Sequence, residues 1–317
     1  MSTAAAPHAP VPLDVVVMGA SGDLAKKKVY PSLFTLFQTG YLPPASTAIY
    51  GYARSAMTDD EFRRKISANL KVLDGVDDGA LGRFLAMCHY VRGQYDDPAA
   101  LKALSGRMAA SHCRTGTGEA AAGGGSNRMF YYAIPPSQFA PVSQAIVESG
   151  IDEAPGDGWS RVVVEKPFGH DLPSFELLDD TLSRCFSEQK LYRIDHYLGK
   201  EMVQNLMILR FANAVLEPLW NRDHISNVQI TFKEDFGTEG RGGYFDGIGI
   251  VRDVMQNHLL QMLSLVAMEP PVRVSGEDYS NYVRDEKVKV LRAVRPLALG
   301  ETVLGQYVGD EAGVHPG

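Results

Sequence analysis

The sequence of 317 residues has no excess of basic side chains: 31 Lys and Arg stand against 38 Asp and Glu, a formal net charge of -7. General attraction to nucleic acid or to an anionic membrane is therefore not expected, and an anionic ligand would need a local pocket of positive charge. Cysteine is scarce. Cys88, Cys113 and Cys185 lie far apart and form neither a metal-ligand pattern nor a disulfide framework, which fits a reducing compartment and predicts no metal site. The opening "MSTAAAPHAPVP" lacks both a basic residue and an apolar core, so it reads as neither a secretory signal nor an Arg-rich transit peptide. Long apolar runs of membrane-spanning length are missing as well. Together these absences predict a cytoplasmic protein whose partner is a small molecule, with no nucleic acid and no membrane. The length is enough for two domains with a sizeable core in each.

What is present begins with alternation. Asp14 to Met18 reads as a buried strand and Lys26 to Phe37 as a helix, with Val29, Leu33 and Leu36 or Phe37 at helical spacing. "TAIYGYAR" is a second strand. "TDDEFRRKISANLKVL" opens with an N-cap threonine and acids in its first turn, and reads as a helix. "CHYVRGQ", "RMFYYAIP" and "SRVVVEKPFG" are further strands, while "LKALSGRMAA" and "SQFAPVSQAIVESG" are helices. Strands alternating with helices imply a parallel sheet covered on both faces. Residues 115–127, "TGTGEAAAGGGSN", are expected to be a low-complexity surface loop. Past about residue 192 the pattern changes. "KEMVQNLMILRFAN" predicts a long helix, "NVQITFKEDF" a strand, "TEGRGGYFDGIGI" a glycine-rich loop and "VRDVMQNHLLQMLSLVAM" a buried helix. The boundary is placed so that 1–192 form one domain and 193–317 part of another.

The stretch "VVVMGASGDLAKKK" suggests what the first domain binds. Gly19 permits a tight turn after the strand, Gly22 lets backbone approach a pyrophosphate, and the helix behind supplies N–H groups and a positive dipole end. Gly-x-x-Gly by itself also fits an ordinary strand-to-helix turn; its position on the first strand of an α/β run favours the dinucleotide reading. The second strand ends at Arg54 and Ser55, where NAD-preferring folds carry an acid for the ribose hydroxyl. An arginine suits a 2′-phosphate, which favours NADP, although a solvated surface arginine is the alternative.

Two further clusters carry charge and histidine. Glu165 and Lys166 end a buried strand, and Pro167 restricts Lys166 to extended geometry with a cis bond as one option. In "YRIDHYLGKE", Asp195 and His196 follow a strand, and Lys200 opens the next helix, against the dipole unless an anion binds there. His258 sits on an apolar helix with Val254 and Met262 above and below; it reads either as a packed core residue or as a base held by a carboxylate from Asp195, Glu234 or Asp253.

"GASGDLAKKKVYPSLF", "VVVEKPFG", "YRIDHYLGKEMVQNLMILRFAN", "FGTEGRGGYFD" and "RDVMQNHLLQMLSLVAMEPP" together resemble the glucose-6-phosphate dehydrogenase family over residues 12 to 310. The resemblance implies an α/β fold: an N-terminal Rossmann-like parallel sheet, followed by part of an α+β domain with a mostly antiparallel sheet. It implies oxidation of D-glucose 6-phosphate to 6-phosphogluconolactone with reduction of NADP, the first step of the pentose phosphate pathway. His258 matches the general base and Asp195 the carboxylate that orients it. His196, Tyr197 and Lys200 match phosphate-holding residues, and Lys166, Glu234 and Asp253 those that hold sugar hydroxyls. The cofactor set is Gly19, Ala20, Ser21, Gly22, Asp23, Leu24, Lys26, Arg54 and Tyr95, with Lys166 near the nicotinamide. A homodimer or homotetramer is implied.

Two departures stand out. Gly247 and Ile248 replace a larger residue and an aromatic, which is expected to loosen the turn before Asp253. The chain also stops where the family continues through further strands and helices, so it reads as truncated within the second domain, with most of the dimer surface missing. Two rivals remain open on sequence alone. One is a sugar oxidoreductase of the glucose–fructose oxidoreductase type, which shares an "EKP" lysine but not "RIDHYLGKE". The other is an NADP-binding fragment without turnover.

Overall fold

The computed structural model describes residues 11–114, 125–238, 240–273, 275–276 and 279–306. Residues 115–124 of the expected loop 115–127 and the opening 1–10 lie outside them, and Asn127, the last residue of that expected loop, already belongs to a strand. The chain divides into two compact units, Met1–Ile194 and Asp195–Gly317.

The first unit holds strands β1 (Leu13–Met18), β2 (Thr47–Ala53), β3 (Cys88–Arg92), β4 (Asn127–Tyr132), β5 (Ser160–Val164) and β6 (Leu191–Arg193). They form one sheet in the order β3-β2-β1-β4-β5-β6, every neighbour parallel. That order is the doubly wound one, with its switch point beside β1. Its helices are α1 (Tyr30–Gln38), α2 (Asp59–Ser67), α3 (Ala80–Ala86), α4 (Pro98–Arg114), α5 (Phe139–Ser149) and α6 (Leu172–Cys185). α3 and α6 are elements that the sequence pattern did not announce.

β1 explains the architecture. Its side chains alternate between two cores: Val15 and Val17 pack with Phe34, Phe62 and Phe84, while Val16 and Met18 pack with Phe130, Tyr132 and Phe139. A strand buried on both faces reads as a continuous apolar run, which is why "VVVM" shows no alternation. Local rules hold at the helix ends. Thr58 accepts from the Glu61 N–H at 3.2 Å while Glu61 accepts from the Thr58 N–H at 2.8 Å, a reciprocal cap. Gly150 closes α5 in the left-handed region, φ 69°.

The second unit contains α7 (Glu201–Phe211), α8 (Gly242–Ile250), a π-helical segment Val251–Leu259 running into α9 (Leu260–Ala267), and α10 (Tyr279–Ala293). Three expectations need correction. Residues 227–236, read as a strand of an antiparallel sheet, form no ladder, and among the described residues this unit has no strand. Strands persist through pairing, and no other described segment here offers an edge. The glycine-rich run 238–250 is mostly helical, with a break at Gly249 (φ 74°, ψ 162°) instead of a loop; the backbone freedom expected near Gly247 is used two residues later. The helix through His258 is buried on one side only: Val254, His258 and Leu265 are buried, whereas Val251 and Met255 are exposed.

Candidate active site

The predicted cofactor residues of the first unit gather at the carboxyl edge of its sheet. Gly19 leaves β1 at φ 86°, and a Cβ there would stand 2.2 Å from the Ala133 carbonyl oxygen, so no other residue fits without moving β4's exit. The Gly19 and Ala20 amides both donate to the Tyr52 carbonyl, at 2.8 and 3.2 Å, and the Gly22 amide donates to the Gly19 carbonyl at 2.9 Å. These bonds fix the shape of the cradle and consume those three donors. The helix that follows begins as a π-helical turn, Ala25–Val29. Lys26 Nζ pairs with Asp23 at 2.8 Å and Lys27 Nζ with the same carboxylate at 3.2 Å. Hydrogen bonds from both lysines hold the Asp23 carboxyl below its ordinary pKa. Leu24 is exposed beside them.

β2 ends against this turn, with the Ser55 hydroxyl 3.5 Å from that of Ser21. Arg54 lies 5.4 Å over the Tyr95 ring, and its carbonyl accepts from Arg92 Nε at 3.3 Å. Two guanidinium groups therefore attend the end of β2. Arg92 was not anticipated, although a basic residue closing the third strand is a visible signal. At the end of β5 the Lys166–Pro167 bond is cis. The preceding Glu165 accepts from the Tyr131 hydroxyl at 2.5 Å. Burial, then that carboxylate, pushes the Tyr131 hydroxyl far above its usual pKa, so it stays a donor. Tyr131 was also missed; its signal was a pair of tyrosines at the carboxyl end of a central strand.

The second unit assembles a tighter group. Asp195 caps a short 3₁₀ turn, His196–Gly199, by accepting from the Tyr197 N–H at 3.0 Å. The same oxygen, Oδ1, meets His258 Nδ1 at 2.5 Å across 63 residues of sequence. The His258 side chain is 3% exposed and that of Asp195 14%, so the pair is largely shielded from water. A carboxylate only accepts, so Nδ1 carries the proton that joins the two, and Nε2 is the nitrogen left for a substrate. Tyr197 stacks on the imidazole at 4.0 Å and 18°, and His196 meets it edge-on at 4.7 Å. Lys200, the N-cap of α7, lies 3.6 Å over the Tyr197 ring. An exposed ammonium is thus held at a helix start, the arrangement expected of an anion subsite.

Ligand atoms of Asp195, His196 and His258 fall within 4.8 Å of one another, close enough to suggest a metal. The 2.5 Å contact argues against one. Two ligands on one tetrahedral ion stand about 3.3 Å apart at ordinary bond lengths, so this is a proton-sharing pair. Asp253 is placed otherwise than a bare carboxylate, accepting from the Tyr244 hydroxyl at 3.1 Å. Glu234 is exposed, two residues beyond Phe232, whose ring lies 5.9 Å from Tyr197.

A doubly wound parallel sheet with a glycine turn after its first strand defines the first unit as a dinucleotide-binding fold. Comparison with known proteins narrows this class. Residues 16–205 match the NAD-binding domain of glucose-6-phosphate dehydrogenase and residues 207–315 its C-terminal domain. The chain belongs to the glucose-6-phosphate dehydrogenase family. It is 53% identical over 304 residues to glucose-6-phosphate 1-dehydrogenase of Dictyostelium discoideum, covering 96% of this chain and 58% of the relative. Identity to the cytoplasmic glucose-6-phosphate 1-dehydrogenase 5 of Arabidopsis thaliana is 51%, covering 94% and 56%. A solved glucose-6-phosphate dehydrogenase in complex with its substrate glucose-6-phosphate superposes with TM-score 0.88 at 46% identity, covering 96% and 60%. The chain therefore spans somewhat more than half the length of these relatives. No helix among the described residues is long and apolar enough to cross a membrane.

Proposed function

We propose that this chain carries the catalytic and cofactor machinery for oxidising D-glucose 6-phosphate at C1 with NADP, giving 6-phosphogluconolactone. The observation that carries the proposal is the shielded Asp195–His258 pair, 2.5 Å apart, beside a lysine at a helix start. His258 Nε2 takes the C1 hydroxyl proton, while Asp195 holds the tautomer and ring orientation through Nδ1. Lys200, His196 and Tyr197 bind the substrate phosphate, with Lys200 drawn from the tyrosine face to the anion. Lys166, Glu234 and Asp253 hold the sugar hydroxyls. NADP, when bound, supplies the hydride acceptor at C1. Its pyrophosphate suits the tight turn that Gly19 and Gly22 make possible, next to Ala20, Ser21, Asp23, Leu24 and Lys26. Arg54, with Arg92 beside it, suits the 2′-phosphate, and Tyr95 backs the guanidinium. The assignment of 1–192 to the cofactor and 193–317 to the substrate, a cytoplasmic location and a homodimer or homotetramer belong to the same reading.

The test is the His258→Asn variant in an NADPH absorbance assay with glucose 6-phosphate. Turnover should fall by about two to four decades, the usual loss for a general base, with NADP affinity and melting temperature nearly intact. Asp195→Asn should cost less, because the base remains but is poorly oriented. A destabilised His258→Asn protein with full turnover per folded molecule would end the proposal.

A further inference from the structure

Lys287 on α10 has no part in the chemistry described above. Its side chain is half-buried, and Nζ donates to Gln261 Oε1 at 3.0 Å. Gln261 follows His258 by three residues on the continuous helical run that joins the π-helical segment to α9, so the ammonium is anchored in the turn next to the imidazole. A lysine that gives up water needs an anion in return, and one bond to a neutral amide does not supply it. The adjacent Glu286 is not that anion, since its carboxylate pairs with Lys289 at 2.5 Å. Asp195 is the carboxylate that attracts the Lys287 charge, while Arg284 repels it. Burial first, and Arg284 as a minor cause, keep the ammonium below the ordinary lysine pKa, with Asp195 opposing.

Four groups bear on the imidazole among the contacts described above. Asp195 touches Nδ1, His196 lies edge-on, Tyr197 stacks, and Lys200 sits over the tyrosine ring. A carboxylate this close favours the protonated imidazole, which cannot accept a proton from substrate. A base that is to work near neutral pH needs that attraction offset.

We propose that Lys287 is a positioning residue for the general base: its ammonium, anchored by Gln261, offsets the Asp195 carboxylate and keeps His258 free to accept a proton. The inference rests on reading His258 as the base. It differs from a packing role, in which the lysine stem fills space between α9 and α10 and its charge is incidental.

The experiment is an NMR pH titration of the ligand-free 317-residue protein labelled with ¹³C-histidine, with the His258 signal assigned through His258→Asn. In Lys287→Met the His258 midpoint should rise by roughly one pH unit, the scale of losing one nearby like charge. Lys287→Arg should restore the parent midpoint. Lys287→Gln, which keeps a donor for Gln261 but removes the charge, should behave as the Met variant and serves if that one folds poorly. A midpoint that stays put or falls in both neutral variants overturns the proposal. Turnover is not read, so failure here is distinguishable from failure of the base assignment, which appears only in His258→Asn kinetics.

Discussion

The two units bury their apolar side chains in different ways. In the first, two separate clusters flank one sheet, and aromatic side chains such as Phe62, Phe84, Phe130 and Phe139 are completely enclosed. In the second, the buried cluster contains Val203, Leu265 and Met268, with partly covered neighbours around it. Exposed apolar side chains concentrate there: Val215, Val272, Leu299 and Val303 are all at least 80% exposed. The first unit is a closed object held by its own packing. The second holds its functional side chains by direct polar contacts, the Asp195–His258 bond, the Tyr197 stack and the Lys287–Gln261 bond, more than by a core. Precision at a site does not require a large core beneath it when short hydrogen bonds and ring stacking fix the geometry.

That comparison breaks most readily in the cores. Phe130→Ala, at 0% exposure inside one of the first unit's two clusters, should cost about 3–5 kcal/mol and shift the urea midpoint of the first unit strongly. Leu265→Ala, 4% exposed in the smaller cluster, should cost about 2 kcal/mol, the low end for such a deletion, because a loose surrounding collapses into the space. Equal losses measured by urea melts would erase the distinction between the units.

Cofactor choice sharpens the comparison on the side of the first unit. Arg54→Ala should weaken NADP by about 1.5–3 kcal/mol, the scale of a charged hydrogen bond, and leave NAD nearly untouched. Equal losses in fluorescence titrations with the two cofactors would remove the arginine from the 2′-phosphate. A smaller effect belongs to the reciprocal cap: Thr58→Ala should cost about 1 kcal/mol in thermal stability and change no binding constant.

The smallest effect concerns pH. Asp23 is held below its ordinary pKa by Lys26 first and Lys27 next. A depressed carboxyl contributes stability above its unfolded pKa and loses it as the pH falls through the folded value. Because Asp23 is fully exposed, only a slight acid-side loss of stability is expected, confined to the region below its ordinary titration range. Lys26→Ala should return the Asp23 midpoint toward the usual carboxylate value in a carboxyl-detected NMR titration; no movement would mean that the pair does not persist in solution.

Much of the first unit was legible because its signals are local. The apolar run 15–18, the Thr58 cap, the Gly150 stop and the glycine at position 19 each act within a few residues. The helix α3 escaped notice because it is seven residues long with no capping side chain; α6 was missed although Asp171 caps it by accepting from the Ser174 N–H. In the second unit, two readings failed for a shared reason. The 227–236 segment has the alternation of a strand, and the 238–250 run the glycine content of a loop, yet pairing and chain direction, which are not local properties, decided both. The stretch holding His258 is π-helical, so a search at the α-helical period describes its faces only approximately.

By itself the sequence determined the alternating elements of the first unit, the positions that only glycine can occupy, and the short chemical strings that carry Asp195, His196, Lys200 and His258. Side-chain type and short-range backbone preference settle such features without reference to distant residues. The tertiary structure alone decided which of those groups act together. It brought Asp195 to His258 across 63 residues, paired Tyr131 with Glu165 across 34, and set Lys287 on Gln261 across 26, while giving Asp253 to Tyr244. Contacts at such separations depend on how elements pack, and packing is set by the sum of many weak apolar contacts that no single stretch of sequence reveals.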